Sequence, residues 1–181
     1  MRDKRFLLVS YDFPNERELP LPLSLGYIGS ALLEVGVDVE FLCADVMKYS
    51  PEYIRDYIAN NKFDFVGMGF TSARFNRFRP IIRMIREGCT AAGSLFVLGG
   101  HALSAAPAYI LQETGADIGV VGEGDVTIKE LGLFYRPDSA SFPQRLTAPE
   151  VGTMLARIKT TLSSIVVGDT RTITIDWKII F

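Results

Sequence analysis

Apolar residues in this chain fall in short continuous runs separated by segments with helical spacing. The runs are rich in Val, Leu, Ile and Phe, which is typical of strands buried on both faces. They predict strands at Phe6–Ser10, Val37–Cys43, Asp64–Phe70, Ser94–Leu98 and Ile118–Val121. The segments between and after them predict helices at Pro20–Val35, from Ser50 onward, and at Phe78–Ala92, Pro107–Thr114 and Val126–Leu133. This alternation predicts an open, doubly wound α/β fold with a five-stranded parallel sheet in the order 2-1-3-4-5.

The pattern changes in the last quarter of the chain. Arg136–Pro149 is rich in proline, serine and turn formers and is typical of a linker. Glu150–Ile165 has helical spacing, and Arg171–Phe181 alternates like a strand. We therefore divide the chain into a domain over residues 1–133 and an extension over residues 134–181. We expect the extension to add an edge strand beside strand two or five, although pairing with the same segment of a second chain is an alternative.

Composition and charge limit the kinds of partner, compartment and metal site that we expect for this chain. The chain has 181 residues, 48% of them hydrophobic, and a net charge of -2, which gives no reason to expect nucleic acid or a membrane surface as a partner. Cys43 and Cys89 are far apart and suit reduced thiols in the cytoplasm. The apolar run near the N-terminus is too short for a signal peptide. No close-spaced set of Cys and His suggests a zinc ion or an iron–sulfur cluster.

The predicted sheet places several glycines and polar residues at one edge. In doubly wound sheets the ligand lies beyond the carboxyl ends of the strands, near the switch in strand order. The candidate ligand residues that follow the predicted strands are Asp12, Thr71, Ser72, Gly99, Gly100, His101, Gly122, Glu123 and Gly124.

The segment "VLGGHALS" joins the fourth strand to the next helix. Gly99 and Gly100 allow a bulky ligand to approach the backbone, although an ordinary strand-to-helix turn is the alternative. We expect valine at either glycine to block the ligand and leave the fold intact. His101, the only histidine, has three possible roles: donating to a ligand, ligating a metal or capping the helix.

The segment "VVGEGD" repeats this design after the fifth strand. Glu123, held between two glycines, can accept hydrogen bonds from ligand hydroxyls or amides. Alternatively, its charge favours the N-terminus of the following helix. The helix after strand three is basic, which suits a phosphate, a partner's acidic surface or simply a solvated face. Its arginines are Arg74, Arg77, Arg79, Arg83 and Arg86.

Four segments together resemble the cobalamin-binding domain at the N-terminus of many radical S-adenosylmethionine enzymes. They are "PLPLSLGYIGSALLEVGVDVEFLCAD", "DFVGMGFTS", "VLGGHALSAAP" and "ADIGVVGEGDVTIKEL", in the family's order. The resemblance covers Arg5–Leu133 and implies a flavodoxin-like fold that holds cobalamin over the carboxyl edge. It implies a groove for the nucleotide tail lined by the candidate residues above.

Two departures from related families shape the expected function. The DxHxxG motif, whose histidine ligates cobalt in methionine-synthase-type domains, is missing, because the segment just after Asp12 contains no histidine. The resemblance therefore implies base-off cobalamin without a protein imidazole from that loop. The CxxxCxxC motif of the radical enzymes is also missing, so we expect no iron–sulfur cluster and no radical chemistry from this chain alone.

We thus expect a cobalamin-binding module, either stand-alone or part of a larger enzyme, whose partner is a radical S-adenosylmethionine catalytic domain or protein. One alternative is a flavodoxin-like interaction or regulatory module without a cofactor. The other is an enzyme that uses His101 and Glu123 as an acid/base pair.

Overall fold

A computed structural model of the chain describes residues 4–11, 23–134 and 165–167. Strands and helices alternate through most of this part of the chain. The strands are β1 (Arg5–Ser10), β2 (Asp38–Cys43), β3 (Phe65–Gly69), β4 (Leu95–Gly99), β5 (Ile118–Val120) and β6 (Ile165–Val167). The helices are α1 (Leu23–Glu34), α2 (Pro51–Asn61), α3 (Phe75–Ala92), α4 (His101–Ala105), α5 (Pro107–Thr114) and α6 (Gly124–Phe134), with a 3-10 turn at Ser72–Arg74. None of these helices is long and apolar enough to cross a bilayer.

The first five strands form a parallel sheet in the order β2-β1-β3-β4-β5, which confirms the predicted fold. The order reverses beside β1, so α1, which follows β1, and α3, which follows β3, pack on opposite faces of the sheet. The carboxyl ends of all five strands therefore lie at one edge, where the predicted ligand residues follow them.

Two apolar layers cover the faces of the sheet. Alternate residues of β1 point to opposite sides, as strand geometry requires. Phe6 and Leu8 pack under α1 and α6, whereas Leu7 and Val9 pack with α2, α3 and α5. All four side chains are fully or almost fully buried. The site described below lies on the α1 and α6 side.

The helix boundaries follow local signals in the sequence. Ser50 caps α2 by accepting a 3.2 Å hydrogen bond from the backbone N–H of Tyr53, and Pro51 occupies the first turn. Gly93 and Gly115 end α3 and α5 in the left-handed conformation. Helix α3 begins at Phe75, one turn earlier than the hydrophobic pattern predicts, and the short helix α4 was not predicted.

The extension adds a strand at the β5 edge of the sheet. Strand β6 pairs antiparallel with β5, and Ile165 lies opposite Val120. The extension therefore pairs at one of the two predicted edges of the sheet. The strand that pairs there is Ile165–Val167. The helical spacing predicts a helix that ends at Ile165. In the structure Ile165 instead lies in this strand. The remainder of the predicted helix, the linker and Arg171–Phe181 lie outside the described residues.

Candidate ligand site at the carboxyl edge of the sheet

A cavity of about 470 Å³ lies between the sheet and helices α1 and α6. It runs along the sheet face from the loops after β4 and β5 down to the middle of β1. Five of the predicted residues line it: Gly99, Gly100, Gly122, Glu123 and Gly124. The glycine-rich segments after two neighbouring strands therefore meet at one opening.

The lining changes from polar to apolar with depth. Its four polar side chains, Ser24, Tyr27, Glu123 and Asp125, are all exposed and mark the mouth. Among the buried lining residues, those whose side chains pack in the layer under α1 and α6 are all hydrocarbon, and none is more than 5% exposed: Phe6, Leu8, Val97, Val120 and Ile128. The side chains of the other two, Met68 and Leu98, pack in the layer on the opposite face of the sheet. The cavity thus suits a ligand with a polar part outside and a flat or compact apolar part inside.

Gly99, the last residue of β4, forms part of the cavity wall. Among the described residues, a Cβ built on it would meet only the Val120 carbonyl oxygen, at 3.8 Å. The space in front of this glycine is therefore open. Absence of a side chain here keeps room for a ligand against the backbone, which agrees with the functional interpretation of the motif.

Gly100 is a glycine for a different reason. Its φ is +86°, and a Cβ would stand 3.2 Å from the amide nitrogen and 3.3 Å from the carbonyl oxygen of Phe70. The backbone after β3 therefore passes directly behind it. The expectation that Gly100→Val would leave the fold intact is wrong, because that side chain would be strained and would meet protein backbone.

Ser104 connects the two glycine-rich segments. Its hydroxyl oxygen accepts a 3.0 Å hydrogen bond from the backbone N–H of Gly122, whose φ is +80°. Ser104 lies in α4, one turn after Gly100, and is half-buried. This bond fixes the loop that carries Glu123 relative to the end of β4.

Replacing Ser104 tests how far this bond orders the mouth of the site. We expect Ser104→Ala to lower the free energy of unfolding by about 1 kcal/mol, the usual contribution of one such hydrogen bond. Ligand affinity should fall several-fold because the loop carrying Glu123 loses its anchor. Thermal unfolding and ligand titration measure the two effects, and unchanged affinity would contradict the proposed ordering.

The other predicted site residues have different positions. Thr71, Ser72 and His101 are exposed at the same edge but do not belong to the cavity lining. His101 and Glu123 therefore do not share this cavity, and the lining gives no support to an acid/base pair. Asp12 lies outside the described residues.

The sequence interpretation missed the α1 and β3 walls of the cavity. Leu25 and Ile28 lie in the predicted helix Pro20–Val35 and have the helical spacing typical of core residues, but both are only half-buried and line the cavity. Gly67 and Gly69 interrupt β3, and glycines inside a strand are a known sign of close approach by a ligand or backbone. That signal was present and was not used.

The two thiols are poorly suited to nucleophilic or metal chemistry. Both Cys43 and Cys89 are free, and burial raises the pKa of Cys89 to about 12. Burial, together with the nearby carboxylate of Asp45, also raises the pKa of Cys43. The part of the chain that the structure describes contains no cluster of three or more His, Cys, Asp or Glu side chains able to hold a metal ion.

Three arginines of the basic helix already pair with carboxylates. Arg79 contacts Glu113 at 2.5 Å, and Arg86 contacts Asp117 at 2.6 Å. Arg83 pairs with Glu87 one turn along α3 at 3.1 Å. These ion pairs favour the interpretation of the helix as a solvated, salt-bridged surface rather than a phosphate site.

Comparison with known families identifies the domain. The model of the B12-binding domain family matches residues 19–132, which include every element from α1 to β5 and most of α6. The chain belongs to the B12-binding domain family. The matched region contains all the cavity-lining residues of this B12-binding domain except those of β1. No curated protein sequence matches the chain.

Solved structures with the same fold are cobalamin-dependent radical enzymes. The radical S-adenosylmethionine methyltransferase TsrM from Kitasatospora setae, with cobalamin and a [4Fe-4S] cluster bound, superposes with a TM-score of 0.69 and 20% identity over 97% of this chain and 31% of that chain. The cobalamin-dependent S-adenosylmethionine radical enzyme OxsB, with aqua-cobalamin and S-adenosylmethionine bound, superposes with a TM-score of 0.67 and 15% identity. The match covers 98% of this chain and 23% of that chain. This B12-binding domain therefore resembles the cobalamin domain of such enzymes and spans less than a third of either structure.

Proposed function

We propose that this domain binds cobalamin in the base-off form and presents it at the carboxyl edge of the sheet. The observation that carries the proposal is the cavity whose mouth is formed by Gly99, Gly122 and Glu123, within the region that matches the family. Cobalamin has a polar ribose-phosphate link and an apolar terminal base. The polar mouth and hydrocarbon interior of the cavity suit these two parts of the nucleotide tail.

The residues of the site would act by binding and positioning. When bound, cobalamin supplies a cobalt centre that can carry an alkyl group, and the chain supplies its location and surroundings. Gly99 leaves room for the tail against β4. The carboxylate of Glu123 can accept hydrogen bonds from ligand hydroxyls or amides at the mouth. The bond between Ser104 and Gly122 would keep that mouth in place.

Reconstitution with hydroxocobalamin tests the proposal directly. The purified chain is incubated with excess hydroxocobalamin, desalted and examined by visible absorption. We expect corrin absorption to co-elute with the protein in a saturable amount approaching one per chain. A colourless protein after desalting, together with no change in the spectrum on titration, would overturn the proposed function.

The base-off form is proposed from the histidine content of the whole sequence. The chain has one histidine, His101, which is exposed and does not line the cavity. The segment between β1 and α1, which supplies the lower cobalt ligand in methionine-synthase-type domains, contains no histidine in the sequence. The cobalt would therefore have neither its own base nor a protein imidazole beneath it.

His101→Ala tests the coordination of cobalt. We expect bound cob(II)alamin to give an electron paramagnetic resonance spectrum without splitting from an axial nitrogen, and we expect the same spectrum in the variant. The reason is that the motif that supplies a cobalt-ligating histidine after β1 is missing, and His101 instead lies after β4, at the start of α4. A nitrogen splitting in the parent protein that disappears in the variant would make His101 a ligand and contradict this prediction.

We further propose that the domain works with a radical S-adenosylmethionine catalytic domain or protein, by analogy with TsrM and OxsB.

The extension over residues 134–181 would have a structural role, because β6 covers the edge of the three-residue strand β5. Deleting residues 134–181 should lower the melting temperature and leave cobalamin affinity within a few-fold. A truncated chain that melts with the full chain would contradict this role.

A further inference from the structure

Among the residues that the structure describes, no hydrogen-bonding side chain of the layer under α1 and α6 lines the interior of the cavity. The five buried lining side chains that belong to the layer under α1 and α6 are hydrocarbon, and the four polar side chains of the lining are all exposed at the mouth. Burying a polar group without a partner is costly, so the interior discriminates against ligands that carry donors and acceptors there.

The backbone of the central row of the sheet does not supply partners either. Leu8 and Gly67 are register partners across β1 and β3, and Gly67 and Val97 are partners across β3 and β4. Val97 in turn lies opposite Ile118 of β5. The backbone donors and acceptors of this row therefore serve the sheet, as the interior of a parallel sheet requires.

Gly67 adds to the hydrocarbon character of the interior. A Cβ at this position would stand 2.8 Å from Cε1 of Phe6 and 3.1 Å from Cδ2 of Leu8. These two side chains therefore lean across the bare backbone of β3. The glycine lets hydrocarbon cover a part of the strand that would otherwise present peptide groups to the cavity.

We propose that the cavity selects corrinoids by the polarity of their lower base: it accepts benzimidazole-type and phenolic bases and rejects adenine. This inference rests on the proposed function and goes beyond it, because it concerns which nucleotide tail the domain takes. Adenine carries an exocyclic amine and three free ring nitrogens, whereas benzimidazole carries one free ring nitrogen. Each unpaired adenine group would lose its water without gaining a partner.

The test is a titration of the full chain with four corrinoids that share the ring and differ in the tail. They are cobalamin, p-cresolylcobamide, adeninylcobamide and cobinamide, which has no base. The decisive pair is p-cresolylcobamide and adeninylcobamide, because the cresol base has no nitrogen to dissociate from cobalt before binding. We expect p-cresolylcobamide to bind about tenfold more tightly than adeninylcobamide, or better, and cobinamide to bind more weakly than p-cresolylcobamide.

Two outcomes overturn the inference while the proposed function survives. Equal affinity for p-cresolylcobamide and adeninylcobamide would show that base polarity is not read. Equal affinity for cobinamide and p-cresolylcobamide would show that the base lies outside the cavity. If none of the four corrinoids binds, the proposed function itself fails and the inference fails with it.

A matched pair of variants locates the selection in the cavity. Val97→Thr adds a hydroxyl to the interior at nearly constant shape, whereas Val66→Thr makes the same change on the opposite face of the sheet. We expect Val97→Thr to reduce the affinity ratio of p-cresolylcobamide to adeninylcobamide about threefold, or more, and Val66→Thr to leave it unchanged. An unchanged ratio in Val97→Thr would place the base away from Val97 and overturn the assignment.

Discussion

Gly99→Val is expected to reduce cobalamin affinity by about tenfold to a hundredfold while the domain remains folded. Within the part of the chain that the structure describes, the Cβ at this position would meet only the Val120 carbonyl oxygen, at 3.8 Å, which leaves room for a side chain. Valine suits the end of a strand, and the position does not require a positive φ. The added methyl groups would occupy the cavity instead of the ligand.

Two measurements separate loss of the site from loss of the fold. Circular dichroism and thermal unfolding should show a melting temperature close to that of the parent, while the cobalamin titration shows the lost affinity. Gly26→Val is the matched control, because a Cβ there meets no atom of the described residues within 4 Å and Gly26 does not line the cavity. A Gly99→Val protein that binds cobalamin as tightly as the control would refute the site.

Gly100→Val should behave differently from both. Its positive φ and the nearby Phe70 backbone make this glycine necessary for the connection between β4 and α4. We therefore expect loss of stability together with loss of binding. In the sequence, both glycines indicate room for a ligand. In the structure, Gly99 leaves that room, whereas Gly100 is required by the conformation of the backbone.

Most of the fold could be predicted from the sequence because its signals are local. Buried parallel strands are continuous apolar runs, and the cap formed by Ser50 and Pro51 marks the start of α2. The order of five strands then follows from the resemblance and from the rules for crossovers. The location of β6 could not be predicted, because Ile165–Val167 is short and its pairing depends on an edge far away in the sequence.

The candidate site was predicted in part. The residues found were those in loops after strands, where glycines cluster. The residues missed, such as Leu25 and Ile28, are apolar and have the same periodicity as core residues. Periodicity gives the face on which a side chain lies and cannot say whether that face meets another side chain or an open cavity.

The same ambiguity hid Gly88, which lies in the middle of α3 and is buried. A Cβ there would stand 2.7 Å from the carbonyl oxygen of Arg55 and 3.0 Å from Cβ of Ile58, both in α2. The two helices therefore touch backbone to backbone on the face of the sheet opposite the cavity. A carbonyl oxygen cannot turn aside as the end of a long side chain can, so any side chain must push α2 outward.

Gly88→Ala is consequently expected to lower the free energy of unfolding by about 2–3 kcal/mol, in spite of the higher helix propensity of alanine. The melting temperature should fall by roughly 5–15 °C. Gly26→Ala is the matched control in α1: it has open space around it and should stabilise the protein by about 0.5–1 kcal/mol. Chemical denaturation of both variants gives the comparison. If Gly88→Ala is as stable as Gly26→Ala, helices α2 and α3 do not pack as closely as these distances require.

Because the cavity lies on the other face, cobalamin affinity of the folded Gly88→Ala protein should stay close to that of the parent. A selective loss of affinity without loss of stability would mean that the two faces are coupled through the sheet.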